Sequence, residues 1–313
     1  MRRSSFVVSL PTRDNDFQRL QQASILEMAR RLGVDIQVLY SNNDSVVQGQ
    51  ELLKLIQAPA ESRPAGILFE PAGGTALPQV AQASAAAGVA WVVMNHDADY
   101  LGRLRAVYKV PVFALTTNHE EVGRIQGQQI AALLPNGGTV LYIEGPSQSM
   151  AAKQRTIGMS ATKPASVSLK ALKGQWTEES AYRAVQAWLR LSTSRQSFCE
   201  VVAAHDDSMA AGARKALFEC SDQDARQRWA KALYLGCDGV PETGQAWVER
   251  GMLAATVVIP ATAGPALEML VSTLQSGVMP SERTLTIPYS FPTVDVLARN
   301  RSTSSKTQSV GKR

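Results

Sequence analysis

Residues 137–159, GGTVLYIEGPSQSMAAKQRTIGM, decide the fold. Residues 139–144 form a short β-branched and apolar run after a Gly-Gly pair, which predicts a buried strand of a parallel sheet. Gly145-Pro146-Ser147 stops the strand. Ser149 can cap the next helix, because its hydroxyl can accept the free N–H groups of a first helical turn, and residues 150–159 have helix-forming composition. A strand, a tight polar loop and a capped helix put the loop at the carboxyl end of a sheet strand, where open α/β sheets bind ligands. Arg155 lies in the second turn of that helix, and its planar fork of donors suits vicinal hydroxyls or a carboxylate. Read alone, Arg155 is equally a solvated surface arginine.

Outward from this stretch a strand-then-helix rhythm runs both ways, which predicts parallel sheets covered on both faces. Toward the N-terminus, strands are expected at 6–10, 34–40, 66–69 and 89–94, with helices at 17–32, 45–56 and 76–87. The first helix carries Leu20, Ile25, Met28 and Ala29 on one side and ends at Gly33. Residues 97–109 are less regular, and 110–115 read as extended. Thr116, Thr117 and Asn118 are polar and precede a helix at 120–134, so a domain crossing is expected there. Toward the C-terminus, strands at 167–172, 200–204, 232–236 and 254–259 alternate with helices at 178–191, 208–218 and 244–250. Pro260 and Pro265 flank a helix at 266–274, and an extended segment at 284–288 runs into Tyr289. The fold class is therefore α/β, with doubly wound parallel sheets. From Asn300 onward Ser, Thr, Lys and Arg dominate, which predicts a disordered basic tail over 300–313.

The 313 residues suffice for two domains, each with its own core. A net charge of +5 invites a nucleic-acid reading, but the basic residues are scattered among acids and part of the excess sits in 299–313, so no nucleic-acid partner is expected. Cys199, Cys220 and Cys237 form no CxxC and cannot all pair; they read as reduced small hydrophobes with no disulfide framework or zinc site. Arg2 and Arg3 followed by residues 6–10 imitate the start of a signal peptide, but the apolar core is only about five residues long and Pro11 ends it. No stretch approaches the roughly 20 apolar residues of a membrane span, so no membrane insertion is expected.

Catalysis finds little support. There is no G-x-S-x-G elbow, and the loop after the first strand, Leu10-Pro11-Thr12-Arg13, holds no glycine of a dinucleotide fingerprint. His96, His119 and His205 lack a metal-ligand spacing, so neither a metal nor a cofactor is expected.

Five motifs in order carry a resemblance: Asn15-Asp16-Phe17; Ala151-Ala152-Lys153-Gln154-Arg155 ending in Gly158-Met159; His205-Asp206-Asp207-Ser208-Met209-Ala210-Ala211-Gly212-Ala213; Cys237-Asp238-Gly239; and Ala255-Thr256-Val257. Over residues 6–292 the chain resembles the type I periplasmic sugar-binding proteins, the ribose-binding branch in particular. LacI-type repressors share that core, but no helix-turn-helix reading precedes Phe6 here. The resemblance implies two α/β lobes joined by a three-segment hinge that close on a sugar. The first lobe would be 1–116 plus 260–283, and the second 117–259 plus 284–299. It implies stacking by Phe17 and Trp176 on the sugar ring, and hydroxyl binding by Asn15, Arg155, Asp206 and Asp238. Singly, each aromatic is equally a core residue, and Asn15, Asp206 and Asp238 are equally helix caps.

The departures from the family pattern matter as well. Asn95-His96 stand where Asp-Arg is usual, Asp206-Asp207 where Asn-Asp is frequent, and Gln18 where a second stacking aromatic is common. The ligand implied is thus a monosaccharide or similar small polyol, without ribose being singled out. The resemblance implies delivery to an ABC permease in the periplasm. The missing leader and reduced cysteines leave a cytoplasmic sugar sensor with a signalling partner as the alternative.

Overall fold

The computed structural model describes residues 5–191 and 198–301. Along the chain run β1 (Ser5–Leu10), α1 (Asp16–Leu32), β2 (Asp35–Tyr40), α2 (Ser45–Ile56), β3 (Gly66–Phe69), α3 (Pro78–Ala86), β4 (Ala90–Met94), α4 (Leu101–Val107) and β5 (Val112–Thr117). Then come α5 (His119–Leu133), β6 (Gly138–Glu144), α6 (Met150–Thr162), β7 (Val167–Lys173), α7 (Glu178–Leu189), β8 (Val201–Ala204), α8 (Asp207–Phe218), α9 (Gln223–Trp229), β9 (Leu233–Asp238), α10 (Ala246–Glu249) and β10 (Ala255–Val258). The described chain closes with α11 (Ala263–Ser276), β11 (Arg283–Thr286) and β12 (Tyr289–Phe291).

Two compact units result, Met1–Thr117 with Pro260–Ile287 and Asn118–Ile259 with Pro288–Arg313. In the first, six strands lie in the order β11-β5-β4-β3-β1-β2, with every pairing parallel. Because successive strand residues point to opposite faces, the sheet divides its apolar residues between two cores. Val7, Ile67, Phe69, Trp91 and Val93 pack with Leu52, Ile56, Val80 and Leu101 on one side. Phe6, Val8, Leu10, Leu68, Val92 and Phe113 pack with Ile25, Ala29, Leu267 and Leu270 on the other. The second unit repeats the plan with the order β12-β10-β9-β8-β6-β7, in which only the short β12 runs antiparallel. Leu141, Ile143, Val202 and Ala204 face α7, α8 and α9, while Val140, Tyr142, Val201 and Ala203 face Ile130, Leu133 and Met159.

Local chemistry sets the element ends. The Asn15 side chain accepts the Phe17 and Gln18 N–H groups at the start of α1, and Gly33 at φ 66° ends that helix. Ser149 Oγ accepts the Ala152 N–H, so the cap expected for α6 is present.

Two expectations need correction. The irregular stretch 97–109 contains α4, and 219–231, unassigned from the sequence, contains α9. The extended segment expected to join the second lobe instead pairs as β11 with β5 of the first, in register Arg283 to Ala114 through Thr286 to Thr117. The helix expected at 244–250 is present as α10, extended on its N-terminal side by a π turn, Pro241–Gln245. The expected tail lies, from Ser302 on, outside the described residues; the backbone is helical up to Arg301.

Candidate functional site

In the first unit, three side-chain amides converge on a carboxylate at the carboxyl edge of the sheet. Gln18, in the first turn of α1, donates from Nε2 to Glu70 Oε1 at 2.8 Å, and Asn95, just past β4, donates from Nδ2 to the same oxygen at 3.0 Å. Gln21 reaches Oε2 at 3.3 Å. Glu70 directly follows β3 and is 4% exposed, and its carboxylate accepts from these three side-chain amides. Asn95 sits at φ 55°, a left-handed conformation that asparagine tolerates better than most residues, and its N–H donates to Leu115 O at 3.0 Å. Asn15 caps α1 at 2.8 Å from the Phe17 N–H and thereby fixes where α1 starts and where Phe17 emerges. Phe17 is buried but belongs to neither apolar cluster of its unit. His96 follows Asn95 and is half-buried. The structure thus brings Gln18 and Asn95 together, with Phe17 next to Gln18 on α1 and Asn15 capping that helix. Sequence reasoning missed Glu70, although an acid closing the apolar run Gly66-Ile67-Leu68-Phe69 was a usable signal.

In the second unit, Arg155 is drawn inward by a close helix contact. Gly158 lies three residues on and so shares its face of α6; a Cβ there would collide with the carbonyl oxygen of Glu120 on α5. A Cβ on Gly123 of α5 would collide in turn with the Arg155 carbonyl. Arg155 is 4% exposed. Its Nη1 donates to the His205 carbonyl, its Nε donates to His119 Nδ1 at 3.4 Å, and its guanidinium lies 5.3 Å from the Trp176 ring centroid. The surface reading of Arg155 is therefore excluded.

His205, just past β8, is fully buried and neutral. Gly145 N–H donates to its Nδ1 at 3.0 Å, so Nε2 carries the proton and donates to the Tyr142 hydroxyl at 2.8 Å. Burial, with Arg155 close by, drives its pKa well below the ordinary range. Trp176 stacks on this imidazole at 6.1 Å and 24°. Its backbone is at φ 61° and its indole covers Gly145, where a Cβ would meet the ring.

The two neighbouring aspartates divide in role. Asp206 caps α8 through Oδ1, which accepts the Met209 N–H at 2.5 Å, while its Oδ2 is buried and without a hydrogen-bond partner among the described residues. Burial pushes its pKa up to about 6, against the opposing pull of the Met209 N–H and Arg155. Asp207 has both oxygens engaged, with Thr256 Oγ1 at 2.7 Å and Gly239 N–H at 2.8 Å, and Gly236 and Gly244 leave no room beside it. Burial pushes it up to about 7, and it serves as an internal tie between β8, β9 and β10. Asp238 ends β9 at φ 104°, outside the ordinary range for a non-glycine residue, and together with Asp206 it supports the charge on Arg155 against burial. The structure therefore gathers Arg155, Trp176 and Asp206 around His205, with Asp238 within their electrostatic reach. His205 and His119 were missed as members of the cluster, because neither has a local pattern that marks it.

Among the described residues no group of three or more His, Cys, Asp or Glu side chains is disposed to hold a metal ion, and no helix is long and apolar enough to cross a membrane.

The family model described as a periplasmic binding protein domain matches residues 6–277. Among solved structures, an ABC transporter periplasmic solute-binding protein from Actinobacillus succinogenes 130z with bound D-allose is similar at 17% identity and a TM-score of 0.79, over 95% of this chain and 100% of that one. The periplasmic component of the arabinose ABC transporter from Shewanella sp. ANA-3, bound to L-arabinofuranose, is similar at 16% identity and 0.77, over 97% of each chain. The Caulobacter myo-inositol binding protein bound to myo-inositol is similar at 22% identity and 0.75, over 95% of each chain. No curated protein matches the chain.

Proposed function

The chain belongs to the family of periplasmic binding protein domains, and we propose from that premise that it binds a monosaccharide or similar small polyol without transforming it. One observation carries this reading: a buried guanidinium, an indole and an unsatisfied carboxylate oxygen stand together at the carboxyl edge of the second unit's sheet. A sugar combines apolar ring faces with a rim of hydroxyls. An indole suits the first, and a donor fork beside an acceptor suits the second. Asp206 Oδ2 lacks the hydrogen-bond donor that a buried carboxylate needs, and a ligand hydroxyl supplies one.

In this reading Trp176 and Phe17 stack on the ring, Arg155, Asp206 and Asp238 bind hydroxyls, and Asn15, Gln18, Asn95 and His96 form the first unit's contribution. The solute-binding proteins to which the fold is similar support delivery to an ABC permease and a periplasmic site of action.

The experiment is a thermal-shift and tryptophan-fluorescence screen of the purified chain against D-allose, L-arabinose, D-galactose and myo-inositol. Binding raises the melting temperature by mass action, and stacking on Trp176 changes its emission. A panel of neutral sugars and polyols that leaves both signals unmoved overturns the reading.

A further inference from the structure

Glu70 stands at the carboxyl edge of the first unit's sheet, and Gln18 and Asn95 of the proposed site are both tied to it. Its backbone is pinned first: the Glu70 N–H donates to Ser9 O at 2.9 Å, and Gln48 Nε2 donates to the Glu70 carbonyl at 2.9 Å while its Oε1 accepts the Ala72 N–H at 2.9 Å. Its carboxylate then collects the side-chain amides of Gln18, Gln21 and Asn95. Gln21 is committed on its other side, because its Oε1 accepts the Thr262 and Ala263 N–H groups at 2.9 Å and its Nε2 also donates to Thr262 Oγ1 at 2.9 Å. Gln21 and Gln48 are fully buried, and Gln18, Glu70 and Asn95 are nearly so.

This arrangement fixes a polarity. A carboxylate only accepts, so the amides beside it must turn their N–H groups toward it; a flipped Gln18 would set oxygen against oxygen. The Gln18 carbonyl oxygen must therefore point away from Glu70. It is indeed buried, pointing elsewhere, with no hydrogen-bond partner among the described residues.

Resting on the sugar-binding reading, we propose that Glu70 is a positioning residue that makes the first unit's rim accept hydrogen bonds from the ligand at Gln18, and that its buried negative charge selects neutral polyols over anionic sugars. A neutral sugar offers the hydroxyl that Gln18 Oε1 lacks. A uronate brings a second negative charge near a carboxylate held in a low-dielectric site, where repulsion is weakly screened.

The test uses Glu70→Gln, an isostere without the charge that no longer dictates which way Gln18 turns, with Glu70→Asp as a second variant that keeps the charge and shortens the reach. The first readout needs no ligand. In proton–nitrogen NMR spectra of the full chain, the side-chain amide signals of Gln18 and Asn95, assigned by Gln18→Ala and Asn95→Ala, should be displaced and slow to exchange, and Glu70→Gln should move both toward exposed amides. The second readout compares D-galactose with D-galacturonate. Wild type should favour the neutral sugar by at least a hundredfold, Glu70→Gln should narrow this to tenfold or less, and Glu70→Asp should hold the preference while weakening both. In a Gln18→Ala background Glu70→Gln should cost the neutral sugar little further affinity, whereas a merely structural role for Glu70 would give additive losses. Unmoved amide signals, or an unchanged neutral-to-acid ratio, overturn the inference. If no sugar binds wild type, the sugar-binding reading falls and the amide signals alone decide the role of Glu70.

Discussion

Arg155 shows how one residue changes meaning between a sequence and a fold. Its type and its place in the second turn after a strand–loop–cap pattern were legible, but its burial was not, because burial follows from Gly123 and Gly158 meeting across two helices. Arg155→Ala removes a charged donor from a buried carbonyl, so it should lower stability by about 1–3 kcal/mol as well as weaken sugar binding more than tenfold. Arg155→Lys should restore little, since an ammonium cannot reproduce the planar fork that spans His205 O and His119. Denaturant titration with ligand titration checks both, and an alanine variant with unchanged affinity removes Arg155 from the site.

Asp206 and Asp207 are adjacent and chemically identical, and only the fold separates a carboxylate with an unsatisfied oxygen from one whose oxygens are both tied. Asp206 is raised from 3.8 to about 6, so the folded state favours its protonated form. Its contribution to stability is full below about pH 4 and is lost as pH rises through about 6. The neutral, buried His205 acts in the opposite sense below its ordinary 6.5, which is why the contrast must be drawn against a variant. The stability of wild type relative to Asp206→Asn should fall between about pH 4 and 6 and then level off. Chemical denaturation across that range measures it, and a flat or rising difference contradicts the assignment.

At the scale of elements, strands read from apolar runs and helices from their caps, and the alternation emerged because each pattern is local. The two short helices escaped for a physical reason. Each spans seven residues, too few to be stable alone, and each is held by a pair of buried side chains, Leu101 with Leu104 and Ala225 with Trp229. Glu70 and His205 escaped for a related one. Their partners lie 52 and 63 residues away, at Gln18 and Tyr142, on elements whose spatial order a single chain does not spell out.

The α5–α6 contact is where an element-level change should reach the site. Gly158→Ala places a methyl against the Glu120 carbonyl, and overpacking of this kind costs about 1–3 kcal/mol. It should also push α6 outward, lower sugar affinity and shift the emission of Trp176. A neutral outcome in both stability and affinity would show that the two helices have room to separate.

For the molecule as a whole, each unit owns two apolar clusters divided by its own sheet. Calorimetry without ligand should therefore resolve two cooperative steps, and a saturating sugar should raise the step of the unit that carries Arg155 and Trp176. A single step would show that the two units unfold together. The division into two lobes was legible from the doubled strand–helix rhythm. The ownership of 284–286 was not, because extended residues between two sheets can pair with either, and only the register with β5 decides.

That late strand has a consequence for how the protein is made. The edge of the first sheet and the helix that seals one of its faces, with Leu267 and Leu270, come from residues 260–286, after nearly all of the second unit. As the ribosome extends the nascent chain, the first 117 residues must wait with Phe6, Val8 and Phe113 only partly covered, by Ile25 and Ala29, until residues 260–286 are made. A polypeptide so ordered stays open to chaperones throughout its synthesis. Moving codons 260–287 to a position directly after residue 117, through a short linker, should let that half acquire protease resistance while still tethered.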